Sequence, residues 1–195
     1  CIWNIFYYIG DASILHCWKT INVKKQYGME RLFFLSSILV MSVFSIVYAL
    51  QGTINDSHKS DDFFWLFAIG MIMVYPLHKL FHFLPLFTIR DHIKVTINRR
   101  YGFLPIVSIK VCEPINKYQF IFSLLSPFIF INAAILIGAL AAPHFAHYFI
   151  MLLAYHCGMC LIDLIYVKNL SKSPRSAFVE ETDAGYQILI VASHH

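Results

Sequence analysis

The run from Leu32 to Leu50 holds no charged residue, no glycine and no proline. A helix needs about 20 apolar residues to cross the hydrocarbon core of a bilayer, so this run is long enough to span. Phe63–Phe87, Tyr118–Ala142 and Ala146–Val167 repeat the pattern with few interruptions. Across the whole chain 58% of residues are hydrophobic and only 13% are charged, with a mean hydropathy of +0.64. Soluble domains carry roughly 25% charged residues. These features predict an all-α membrane protein with four transmembrane helices, over residues 32–51, 63–87, 118–142 and 146–167. The lipid bilayer is its first expected partner.

The polar segments set the orientation. Residues 1–31 mix aromatic side chains with Lys19, Lys24, Lys25 and Arg31. They read as a cytoplasmic or interfacial lead-in, because Cys1 to Gly10 is far too short to cross a membrane. Within 88–117, Ile93–Ile97 and Ile106–Val111 alternate apolar and polar residues around the turn-rich stretch Asn98–Gly102, which predicts a β-hairpin. Open strand edges are not stable in lipid, so this hairpin belongs on the cytoplasmic side, between helices two and three. Residues 168–195 read as a solvated tail. Lys and Arg number four in the lead-in, six in the hairpin segment and three after Val167, against Lys59 alone in the opposite connections. The positive-inside rule then puts both termini in the cytoplasm, and a bacterial cell membrane is the expected location. The net charge of +4 follows this topology and is not a nucleic-acid footprint.

No basic start or cleavage site marks a signal peptide. The natural start is expected near Leu15 or His16, and Ala192–His195 reads as an appended end. Five cysteines suit no disulfide framework, and Cys157 and Cys160, inside an apolar run, read as packing thiols rather than a redox pair. His144 and His147 fall in a short outer loop and read as solvated.

The chemistry concentrates at His78 and His82. Four residues apart, they share one helix face and could hold a single metal ion. Asp163 is the only acidic residue inside an expected span, where a carboxylate costs about 2.5–3.5 kcal/mol on insertion scales. The topology brings it to the depth of the two histidines. Three arrangements fit. Zinc could take His78, His82 and Asp163 and keep an open position; Cys160 could join these three in a closed, structural site. Alternatively, Lys79 could form an ion pair with Asp163 as an internal strut, alone or beside a metal.

In order and topology, His78-Lys79-Leu80-Phe81-His82, then Glu113-Pro114-Ile115 and Ser126-Pro127, then Gly158-Met159-Cys160-Leu161-Ile162-Asp163-Leu164, resemble a bacterial family of zincin-type peptidases. These are small membrane proteins distantly similar to site-two proteases. The resemblance covers roughly residues 63–167. It implies that His78, His82 and Asp163 are zinc ligands, and that the general base falls on Lys79 where the family carries Glu. In such peptidases the Glu takes a proton from the attacking water and returns it to the leaving amine. An ammonium cannot do this, and loss of a general base typically costs 10²–10⁴-fold. The expectation is a metallopeptidase-like scaffold, a pseudoenzyme whose turnover is lost or much reduced and which engages a segment of another membrane protein. An active peptidase using a neutral Lys79 as its base is the first alternative, and a non-enzymatic membrane component with a Lys79–Asp163 pair is the second.

Overall fold

A computed structural model of the chain describes residues 8–9, 13–54, 59–86, 93–98, 106–111, 114–182 and 185–191. The expected turn at 99–102, Glu113, Cys1, Cys112 and residues 192–195 lie outside them. The described chain opens with strands β1 (Tyr8–Ile9) and β2 (Ser13–Ile21) and a short helix α1 (Val23–Tyr27). Leu15 and His16 thus fall inside β2. Two long helices follow, α2 (Met29–Ile54) and α3 (Phe64–Phe83). Strands β3 (Ile93–Asn98) and β4 (Ile106–Val111) pair antiparallel through six positions, from Ile93 opposite Val111 to Asn98 opposite Ile106. A two-residue strand β5 (Ile115–Asn116) then runs straight into helix α4 (Lys117–Ala141). Helices α5 (Ala146–Met159) and α6 (Leu161–Ser171) complete the helical part, and strands β6 (Phe178–Thr182) and β7 (Gly185–Val191) close the described chain.

Among the described residues, three stretches are long and apolar enough to cross a membrane: Met29–Thr53, Phe64–Leu86 and Lys117–Ala141. Their outward faces carry Phe33, Ile38, Met41, Trp65 and Ile72, all more than half exposed. The fourth span expected over 146–167 is a pair of helices bent at a short break. Cys160 sits at φ −72°, ψ −8°, and α6 departs from the 3-10 turn Pro143–Phe145 and α5 by 45°. At 1.5 Å per residue, α5 alone rises only about 21 Å, short of a bilayer core of about 30 Å.

The flanks, expected as a cytoplasmic or interfacial lead-in and a solvated tail, pair with each other as strands. β2 pairs antiparallel with β7, from Leu15 opposite Val191 to Ile21 opposite Tyr186, and the sheet runs β1-β2-β7-β6-β5. Its apolar face closes one end of the helix bundle. Ile21, Val179 and Ile188 from the sheet pack with Leu32, Phe120, Leu124 and Leu170 from the adjoining helix ends. Lys117 is buried at this junction. Its ammonium donates to the Ser173 carbonyl at 2.6 Å and lies 3.5 Å from those of Ser171 and Pro174, so a cation sits at the C-terminal end of α6 and the turn that follows it. His147, expected in solvent, is buried on α5 with Nε2 3.7 Å from Asp61 Oδ1, whereas His144 is exposed.

The helices meet closely at Gly158. Ser36 of α2 donates to the Gly158 carbonyl at 2.9 Å, and a Cβ on Gly158 would collide with Val40. Small residues allow this kind of approach between apolar helices. The contact holds α2 beside the break between α5 and α6, where the chemistry gathers.

Candidate metal centre

His78 and His82 project from the last two turns of α3, and Asp163 lies in the first turn of α6. The bend at Cys160 is what presents Asp163 at a helix start. There the partial positive end of the helix dipole favours a carboxylate by about 0.3–1 kcal/mol, offsetting part of its burial cost. His78 Nε2 stands 3.2 Å and His82 Nε2 3.5 Å from Asp163 Oδ2, and the two imidazole nitrogens are 3.0 Å apart. Four ligands at about 2.05 Å from a tetrahedral zinc lie roughly 3.3 Å apart, so the three atoms have the separations such an ion requires.

Donor and acceptor chemistry supports the same conclusion. His82 Nδ1 lies 2.9 Å from the Ser123 carbonyl oxygen, which can only accept, so His82 carries a proton on Nδ1 and, as a neutral ring, bares Nε2. That carbonyl is available because of the residue four positions on. Pro127 has no N–H, so Ser123 C=O has no helical partner in α4. Ser123 Oγ returns a hydrogen bond to the His82 carbonyl at 2.5 Å, which makes the clamp reciprocal. On the other histidine, His78 Nδ1 lies 3.2 Å from His156 Nε2, and His156 Nδ1 lies 2.7 Å from Asn132 Oδ1. With the proton on Nδ1 of each imidazole, three lone pairs converge: His78 Nε2, His82 Nε2 and a carboxylate oxygen. Three acceptors within reach of one point attract a cation, so this donor set fits zinc. His82 and Asp163 keep side-chain exposures of 16% and 18% against 5% for His78, so the set is open on their side. An open position is the mark of a catalytic rather than a structural zinc site.

Cys160 stands apart from this set. Its sulfur lies 3.8 Å from His78 Nδ1 and 3.5 Å from His156 Nε2, on the opposite edge of the His78 ring. His78, His156 and Cys160 form a second, fully buried group with metal-type separations, and it shares His78 with the first. The expected closed site of His78, His82, Cys160 and Asp163 therefore does not assemble around one point. Cys157 and Cys160 are free thiols, and Cys157 Sγ accepts from Asn132 Nδ2 at 3.6 Å.

Lys79 follows His78 on α3 and is exposed. The Lys79–Asp163 ion pair is not formed; the carboxylate faces the two imidazoles instead. Lys79 sits beside the ligand face, one position after His78, and its long stem carries the charge outward.

Ser123, Asn132 and His156 are the site residues that spacing did not reveal as one group. Asn132 had a usable signal, being a polar amide in the middle of an apolar helix, where such groups are functional by default.

The described residues thus combine helices long and apolar enough to cross a membrane with a His/His/Asp group that could hold a metal ion. Residues 71–178, more than half of the chain, match the profile of DUF3267, whose description is "Putative zincin peptidase", and the chain belongs to that family. No curated protein and no solved structure matches it.

Proposed function

We propose that this chain is an integral membrane protein of zincin type whose peptidase turnover is lost or much reduced. The observation that carries this reading is the convergence of His78 Nε2, His82 Nε2 and Asp163 Oδ2 within 3.0–3.5 Å of one another, beside an outward-facing Lys79. His78, His82 and Asp163 would hold the zinc. Bound there, zinc supplies Lewis-acid chemistry for amide hydrolysis. The chain's own groups do the rest: the Ser123 carbonyl orients His82, His156 orients His78, and the start of α6 steadies Asp163.

In the zincin pattern the residue after the first histidine is the proton carrier, and here that residue is a cation. Long apolar helices with apolar outward faces support membrane insertion, with the broken α5–α6 pair as a fourth crossing and the sheet on the cytoplasmic side. A transmembrane segment of another protein is the partner this scaffold would engage without cutting.

The test is Lys79→Glu in detergent-purified protein, assayed against a model transmembrane substrate. A chelator-sensitive gain of 10²–10⁴-fold over the parent is expected, matching the usual worth of a general base. A parent that already cleaves at a rate Lys79→Glu does not raise would refute the loss of turnover.

A further inference from the structure

We propose that Asn132 and His156 are positioning residues, forming a relay from α4 through α5 that fixes His78 in the tautomer presenting Nε2 to the metal. The inference rests on the zinc-site reading above and extends it to residues that touch no ligand atom of Asp163 or His82.

The relay is built from hydrogen-bond direction. Asn132 Oδ1 accepts and its Nδ2 donates, so the orientation of one amide decides the whole chain. With Nδ2 directed at Cys157 Sγ, 3.6 Å away, Oδ1 faces His156 Nδ1 at 2.7 Å and must receive its proton. His156 is then left with a lone pair on Nε2. That lone pair, 3.2 Å from His78 Nδ1, accepts the His78 proton and bares His78 Nε2. Every group in the sequence is buried: His156 is 0% exposed, His78 4% and Asn132 8%. Water therefore does not compete for these bonds, and an unmade bond here would leave a polar group unsatisfied at a cost of about 1–3 kcal/mol. Reversing the amide reverses the relay. Asn132 would donate to His156 Nδ1, His156 Nε2–H would donate to His78 Nδ1, and the remaining His78 proton would sit on Nε2, blocking the metal.

The same relay assigns the second donor group. His156 Nε2 cannot accept the His78 proton and ligate a metal with Cys160 at once. In this account Cys160 is a buried thiol beside the relay, and the His78/His156/Cys160 group is not where zinc binds.

Two measurements on the full chain in detergent test this. The first is ¹⁵N NMR of histidine-labelled, metal-free protein, with His78 and His156 assigned through His→Gln variants. The expected parent spectrum shows both rings protonated on Nδ1. Asn132→Leu, which has no acceptor, should convert His156 and His78 to mixed tautomers, and Asn132→Asp, which keeps one, should restore the parent pattern. The second is zinc affinity by competition with a chromophoric chelator. Asn132→Leu and His156→Phe should weaken zinc by 10–100-fold, the usual effect of losing a group that orients a ligand, while Asn132→Asp stays within about threefold. Cys160→Ser should also stay within threefold.

An Nε2–H tautomer of His78 in the metal-free parent overturns the relay, as does an Asn132→Leu variant that leaves both tautomers and zinc affinity unchanged. Loss of zinc in Cys160→Ser and His156→Phe but not in His82→Ala would overturn it too, and place the metal in the second group. If the parent binds no zinc, the metal reading fails, and the tautomer measurement still decides the relay.

Discussion

The two histidines owe their orientation to opposite kinds of partner. His78 is held by a side-chain relay, whereas His82 is held by a backbone carbonyl that Pro127 sets free. Pro127→Ala should return an N–H to α4 and draw the Ser123 carbonyl back into the helix. Zinc affinity is expected to fall about tenfold, measured by chelator competition, even though the helix itself gains a hydrogen bond. Unchanged affinity would show that the carbonyl orients nothing. At this scale the sequence was legible where spacing carries the chemistry: His78 and His82 lie one helical turn apart, and Asp163 is conspicuous as a carboxylate among apolar residues. Spacing could not show which edge of each ring faces which neighbour. That depends on the angle between α3 and α4 and on the bend at Cys160, and so Cys160 was grouped with ligands from which the His78 ring separates it.

Among the elements, two junctions hold the site in place. The first is the Lys117 ammonium over the end of α6. A hydrogen bond to a charged group contributes about 1.5–3 kcal/mol, so Lys117→Met should destabilise the protein by roughly 2 kcal/mol in chemical denaturation. A variant as stable as the parent would show that the carbonyls are satisfied without it. The second is the α2–α5 contact at Gly158, where Gly158→Val should cost about 1–3 kcal/mol from overpacking against Val40, seen as a lower melting temperature. Ser36→Ala, which removes only one hydrogen bond, should cost about 1 kcal/mol. The long helices were readable from their apolar runs because a span needs only length and composition. β2 and β7 were not. Their partners are far apart in sequence, a register shift between Cys17 and Lys19 breaks the period-two pattern of β2, and β7 is apolar on both faces. The break in the fourth helical stretch was equally hidden, because the residues around Cys160 are as apolar as those of a continuous helix.

As a whole, the molecule brings a sheet formed by both flanks of the described chain against one end of a helical bundle, with the His/His/Asp cluster inside that bundle. Fold and family together give a zincin-type scaffold, and the proposed function adds that it holds zinc while lacking the proton carrier. Lys79, exposed and not itself a ligand, should be dispensable for metal binding: Lys79→Ala is expected to retain the parent's zinc content. The most direct test of the central claim is elemental analysis of detergent-purified protein, parent beside His78→Ala and Asp163→Ala. The account predicts near-stoichiometric zinc in the parent and its loss in both variants. A parent that carries no zinc at saturating metal, or a His78→Ala protein that keeps it, would contradict the account.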